Sequence, residues 1–511
     1  MTRSRTVQLA WLLCVPLWVC AGGDTFAAES VPLRPERRIT LTEVVRLALE
    51  RNLRLAAERL NPQQADTVVI ERFAVFEPTS YGDAAYSLLK ERPTATGSGD
   101  RQRNAAGTTG IRKLFPLGTT VDLHADAERN WNNFTSTTMN PEHREELGVR
   151  LTQPLLRGFG VRVNMAGIAI ARNERRIASA KLRGVAIEAA AATVKGYLDL
   201  VFAVRSRELV QRSLQRAGDF LRDIQARVNA GTLAPSPGPA QAQAEIATRQ
   251  EEAVTAEEAV RSAEDALRVL ADLATDPEIW HQALIPQDDP PADIPAQDPE
   301  RAVDTALARR PECQVAQLTI DSQDIAIMVR RNELLPKVEL KASAGVVGSD
   351  DSWGGSDRDF RSRDHGNWSL GVSFEYPLGN SGAKARHRRA FLARQQGELD
   401  SRALHLQIQF EVRNAVRELG ANAQRLRAAD VSVKAEQERL RAEEILFKEV
   451  GRSERGGRGA TSQDVLDAQA ALARAEGRRL KALIDLNKAA AEVERVKATL
   501  LDVYNVVFEE D

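Results

Sequence analysis

The clearest pattern in the chain lies in 383–450, where Ile408, Val412, Ala415, Leu419, Leu426, Val433, Leu440 and Phe447 fall at spacings of 4, 3, 4, 7, 7, 7 and 7. That is the seam of a coiled coil. The stretch is 68 residues long without a proline, and so is 163–230; as single helices each would run about 100 Å. After a turn at 451–459 (GRSERGGRG) the sevenfold register resumes in 461–503 with Val465, Leu472, Leu486, Val493 and Leu500, interrupted by Arg479. The other turn, 231–239 (GTLAPSPGP), leads into a shorter helix at 240–273. A further helical stretch at 40–76 is expected to break at Pro62; laid end to end with 240–273 it matches one long helix, which predicts a rod of one long helix beside two stacked short ones. Periodicity alone also fits a plain solvated antiparallel coiled coil.

Between the helices the period changes to two. Leu147, Val149, Leu151, Gln153 and Leu155 share one face of a strand, as do Val338, Leu340, Ala342, Ala344 and Val346, and Trp368, Leu370, Val372, Phe374 and Tyr376. One-faced alternation near ten residues long is the pattern of outer-membrane strands and also of soluble sheets. The segments NWNNFTSTTMNPEHR and GSDDSWGGSDRDFRSRDHG read as long polar loops at one end of these strands, with the helices at the other. Because the chain must leave and return on the helix side, each half needs an even number of strands. The second half (337–377) shows two; the first (79–156), with candidates near 79–90, 107–114 and 119–131, holds two or four.

The chain is written twice. Thr40 with Glu43 forms a capping box, and Asp298 with Pro299 is an N-cap followed by proline at the first helical position. An offset of 258 brings Leu49 onto Leu307 and Pro78 onto Pro336, whereas Pro154 and Pro377 stand 223 apart. The difference of 35 residues would suit one additional hairpin in the first half. The expected division is a leader at 1–28, a first repeat at 29–273, a proline-rich connector at 274–299 and a second repeat at 300–511. The connector should pack round the outside, with Trp280 as a packing anchor.

Composition narrows the function. Over 511 residues, 5% aromatic content and 28% charge fit conventional enzyme cores poorly. TRSR, the apolar run VQLAWLLCVPLWVC and the small residues of TFAAES have the order of a secretory signal peptide, with cleavage expected after Ala27 or Ala28. Its removal would leave Cys313 alone, without an internal disulfide, and 68 basic against 71 acidic residues. That near-neutral balance argues against nucleic acid. No later stretch has 18 consecutive apolar residues, so any membrane passage must use strands. His124, His143, His281, His365, His387 and His405 lack metal-ligand spacing and Cys313 has no candidate base, so neither catalysis nor a metal or cofactor is expected. One pair of acids stands out: GATSQDVLDAQAALARAE carries Asp464 and Asp467 three residues apart on one helix face. Acids near a helix start can simply complement the helix dipole.

The duplicated order of elements, with QPLLRGFG and DVLDAQAALARAE, resembles the TolC-like outer-membrane efflux protein family over about 39–504. The resemblance implies a mainly α fold with a membrane β-barrel portion, built as a homotrimer: strands joined in one barrel among outer-membrane lipid, helices in a hollow periplasmic cylinder. It implies an exit duct of a tripartite efflux or type I secretion system, served by a periplasmic adaptor and an inner-membrane transporter, with cargo and pump class unnamed. It places Asp464 and Asp467 at the periplasmic aperture, and Gly231, Gly451, Gly459 and Thr461 at the helix-hairpin tips where an adaptor would dock. Two departures bear on that end. The first tip (GTLAPSPGPAQAQAEIA) has prolines where the family often has an acid, and the second is lengthened by RSERGG, which adds two arginines. A periplasmic coiled-coil adaptor is the alternative reading; it would need small lipoyl-like and barrel domains, which nothing in the duplicated chain supports.

Overall fold

The computed structural model describes residues 34–90, 92, 99–135, 137–233, 237–272, 277–449 and 460–504. The expected leader, Gly451, Gly459 and the RSERGG insertion lie outside them. Strand β1 (Glu36–Ile39) is followed by α1 (Leu41–Arg51), α2 (Leu53–Glu58), α3 (Leu60–Phe73) and the strands β2 (Thr79–Lys90), β3 (Arg101–Leu114), β4 (Thr120–Asn132) and β5 (Glu142–Pro154). A single turn, α4 (Val161–Asn164), precedes the long α5 (Ala166–Asn229), which returns as α6 (Gly238–Leu270). The connector holds α7 (Pro277–Trp280) and β6 (Ala283–Pro286). The second half repeats the plan with α8 (Pro299–Arg309), α9 (Pro311–Asn332), β7 (Lys337–Asp350), α10 (Trp353–Ser362), β8 (Gly366–Glu375), the long α11 (Ser381–Glu449), α12 (Ser462–Val496) and α13 (Leu500–Val503). Among the described residues no helix is long and apolar enough to cross a membrane.

Three local features differ from the sequence reading. The first helical stretch breaks at Asn52 and Arg59, not at Pro62. Asn52 turns its side chain to cap the next helix, accepting from the Leu55 amide at 3.1 Å, while Pro62 sits in the first turn of α3, where a missing N–H costs nothing. The polar loop between β7 and β8 contains α10, capped by Ser352. This helix lies directly on the sheet: a Cβ at Gly348 would stand 2.3 Å from the Ser356 carbonyl oxygen, so only glycine allows the approach. The last helix stops at Val496, and a left-handed Ala498 (φ +56°) separates it from α13.

One antiparallel sheet runs in the order β2-β3-β4-β5-β7-β8, so the first half supplies four strands and the second two. Its two faces differ in chemistry. Along β4, Asp122 and His124 are buried on one side while Leu123 and Ala127 are exposed on the other. Register carries that division across the sheet: Ile111 pairs with Leu123, Leu123 with Val149, Val149 with Ala344 and Ala344 with Trp368, all on the exposed side. A short parallel pair, β1 with β6, ties the connector to the start of the chain.

The helices form a separate core. α5 packs against α1, α3, α6, α9 and α12 and buries alanines on several sides, Ala186, Ala190, Ala191 and Ala203 among them. The second long helix, α11, packs on α8, α9 and α12 and buries the eight-residue seam that begins at Ile408, together with Ala383. α12 lies between the two long helices and joins the halves.

Candidate functional site

The end where the two helix hairpins turn holds the acids. α12 begins after Thr461, whose hydroxyl accepts from the Asp464 amide at 3.3 Å, while the Asp464 carboxylate accepts from the Thr461 amide and hydroxyl, both at 2.8 Å. This reciprocal capping box satisfies donors that the first helical turn would leave unpaired. Asp467, one turn on, accepts from the Gln463 side-chain amide at 2.9 Å. Both acids are exposed on the same side of the helix. The opposite side, Val465, Leu466, Ala468 and Leu472, is buried with Phe220, Ile224, Ala242 and Phe447. The acids therefore face outward because the apolar positions between them fix the rotation of α12.

The neighbouring hairpin comes close. Ser462 donates to the Gln241 side chain at 3.4 Å, and a Cβ at Gly238 would lie 3.2 Å from the Ser462 hydroxyl. Gly231 ends α5 in the left-handed region (φ +72°), where the Thr232 amide bonds back to the Arg227 carbonyl at 3.0 Å. The structure thus brings Thr461, Asp464 and Asp467 together and sets Gly231 at the turn of the other hairpin.

Two arginines hold this end and were not singled out from sequence. Arg227 donates to the Phe447 carbonyl at 3.3 Å and lies 5.0 Å above that ring, which in turn stacks 5.3 Å from Phe220. Arg249 is buried, bonded to the Ser213 hydroxyl and to Glu245 at 2.7 Å. An arginine four residues after an acid is the only signal either carried, and exposed helix faces carry it just as often.

Farther from the tips, charge ties α12 to α5. Lys195 bonds Glu492 at 2.9 Å, Arg495 chelates the same carboxylate at 2.5 to 3.0 Å, and Lys488 pairs with Asp199. Burial alone would raise the Glu492 carboxyl, but the bonds from Arg495 and Lys195 outweigh it and hold it below the ordinary range. The connector is anchored nearby. Asp288 accepts from the Tyr197 hydroxyl at 2.8 Å and the Leu41 amide at 2.6 Å, and burial, then that bond, pushes the Tyr197 phenol up. Trp280 lies 5.6 Å beneath the buried Arg268 guanidinium. Burial, then Glu312, also raises the Cys313 thiol, which opposes reactivity.

At the far end, the exposed face of the sheet carries Leu147, Val149, Leu370, Val372, Phe374 and Trp368, the last 80% exposed. The other face carries Asp122, His124, Asp126, Glu146, Glu339 and Lys341. Apolar on one face and charged on the other is the arrangement of a strand wall between lipid and water.

The sequence profile of the outer membrane efflux protein family matches residues 114–271 and 302–492. Among solved structures, the outer-membrane channel OprN aligns with a TM-score of 0.64 at 17% identity, over 90% of each chain. The MtrE outer membrane channel of Neisseria gonorrhoeae gives 0.60 at 19%, covering 90% of this chain and 89% of that one. The outer membrane protein VceC of Vibrio cholerae gives 0.60 at 16%, covering 92% and 97%. At these identities the likeness speaks of the fold. A search of curated proteins finds no match.

Proposed function

The chain belongs to the outer membrane efflux protein family, and from that premise we propose that it is the passive, trimeric exit duct of a tripartite efflux or type I secretion system. The observation that carries the reading is the pairing of an amphipathic sheet, lipid-compatible on its apolar face, with two helices about 100 Å long. Sheet and helices divide the work: the strands cross the outer membrane and the helices reach through the periplasm. A second copy would cover apolar side chains that the protomer leaves bare on α11, Leu399, Leu406 and Phe410. An adaptor bound to an inner-membrane transporter would dock at the hairpin ends, around Gly231, Gly451, Gly459 and Thr461. The coiled-coil adaptor reading gives no role to a membrane-type sheet.

In this reading Asp464 and Asp467 form two stacked rings at the periplasmic mouth. Six carboxylates in a constriction attract cations and repel anions, since screening is poor there. The capping box gives Asp464 a structural task as well, and the two are compatible because the carboxylate is exposed. The test is outer-membrane extraction followed by planar-bilayer recording. The protein should run as a heat-sensitive trimer and conduct with cation preference, and the variant Asp464→Asn/Asp467→Asn should conduct without it. Unchanged selectivity with intact conductance would remove the acids from the pore.

A further inference from the structure

We propose that β2 and β8 are the protomer's seams, so that three copies close an eighteen-stranded barrel in which β8 of one copy pairs with β2 of the next. The inference rests on the outer-membrane duct reading and sets the width of its exit. Both strands stand at the free edges of the six-stranded sheet. In hydrocarbon an open edge leaves amide and carbonyl groups without water, so the edges of a membrane sheet must be paired.

The hairpin β2–β3 is built as wall. All twelve residues of β2 pair with β3, and thirteen pairs join β3 to β4. On the charged face Tyr81 of β2 donates to Asp122 of β4 at 2.7 Å, and Arg112 of β3 donates to the same carboxylate at 2.8 Å, so one acid stitches three strands. Asn104 and Glu128 repeat the link from β3 to β4 at 2.6 Å. On the other face Ala84, Tyr86 and Leu88 stand in register with the outward side chains of β3 and continue the apolar surface to the edge.

The two edges also fit each other. β2 runs away from the helices and β8 runs toward them, so neighbouring copies meet antiparallel, like every other pair in the sheet. Following paired residues across the sheet from Thr79 leads through Arg112, Asp122, Arg150 and Ser343 to Ser369. Ser369 stands six residues up β8 from Glu375, the strand's helix-side end. If the helix-side ends of all strands stay level, Ser369 faces Ala85 or Ser87 of the next copy; the step must be even so that apolar side chains stay outside. Steps of six or eight residues per copy, with a rise of about 3.3 Å and a strand spacing of about 4.8 Å, give strand tilts of about 35° to 43°. That is the tilt closed barrels adopt, and sixteen to eighteen strands are enough to leave an aqueous channel.

The test is disulfide trapping in a Cys313→Ser background, with copper phenanthroline as oxidant. Ser369→Cys combined with Ala85→Cys or with Ser87→Cys should, for one of the two pairs, shift the boiled, unreduced band from monomer to covalent trimer, and reductant should reverse it. The pair Ser343→Cys with Ser369→Cys, partners within one chain whose hydroxyls lie 2.8 Å apart, should lose both thiols to oxidation while the band stays at the monomer position. Outer-membrane trimers in which neither seam pair links, or in which Ser369→Cys links to Asp126→Cys on β4, would overturn the proposal by placing β2 and β3 outside the wall. Failure to form any outer-membrane trimer would overturn the duct reading with it.

Discussion

The two long helices are nearly equal in length and opposite in surroundings. α5 is enclosed, touching helices from both halves, and its buried positions are mostly alanines and small β-branched residues spread over several faces. α11 has one seam of larger side chains against α12, while Leu399 (63% exposed), Leu406 and Phe410 lie bare. Side-chain size follows from the number of neighbours: a helix surrounded on all sides needs close backbone approach, whereas a helix at the margin needs knobs on one line. α5 is thus the axis of the protomer and α11 its boundary, the side on which the proposed trimer would place another copy.

Substitutions that exchange these roles should show the largest effects. Ile408→Ala removes a large knob from the α11 seam and should cost about 2 to 5 kcal/mol. Ala190→Leu puts bulk into α5 where no space exists and should cost about 1 to 3 kcal/mol through displaced neighbours. Chemical denaturation of the detergent-solubilised protein checks both. Equal tolerance of bulk at Ala190 and at exposed Leu399 would erase the contrast between axis and boundary.

A smaller effect follows from the way α12 joins the two. It meets α11 through the heptad seam and α5 through Lys195, Glu492 and Arg495. A carboxyl whose folded-state pKa is lowered contributes stability above its unfolded value, about 4.3 for glutamate, and loses it as pH falls through the folded value. Glu492 is such a group. Melting followed across pH 6 to 3 should show stability declining below pH about 4, with a shallower decline in Glu492→Gln. Identical slopes would mean that the contact across the halves is apolar in substance.

This contrast also explains what the sequence revealed. The α11 seam was legible residue by residue because its neighbours meet it along a single line of buried positions, which imposes one period. The alternation of Leu147 through Leu155 and of Trp368 through Tyr376 was legible because water or lipid faces one side only. α5 showed its length but not its packing, since burial on several faces erases a single stripe. The strand count in the first half stayed open because β2 and β3 carry short, mixed apolar runs such as AAYSLL, and α10 was hidden in a segment rich in Gly, Asp and Arg whose helix depends on the Ser352 cap and on Gly348. At the hairpin ends the pair of acids was visible, while Arg227 and Arg249 were not, because their partners Phe447 and Ser213 are 220 and 36 residues away.

The smallest expected effect separates the two hairpin ends. α12 starts with a full capping box, whereas α6 starts at Pro237 without a side-chain cap. Asp464→Ala removes the acceptor for both the amide and the hydroxyl of Thr461 and should loosen the first turn by about 1 kcal/mol. Asp467→Ala loses a single exposed contact with Gln463 and should stay within about 0.5 kcal/mol of the parent. Hydrogen exchange read at residues 462–468 resolves the difference, because it reports local opening rather than unfolding of the whole rod. Faster exchange is expected in the Asp464 variant alone, about fivefold for 1 kcal/mol. Asparagine at 464 also accepts a hydrogen bond and should restore the cap, so that in the bilayer experiment any change of selectivity reports charge and not a frayed helix. Equal exchange in both alanine variants would show that the box contributes nothing there and that the two hairpin ends are held alike, by the packing of Phe220, Phe447 and Leu466 beneath them.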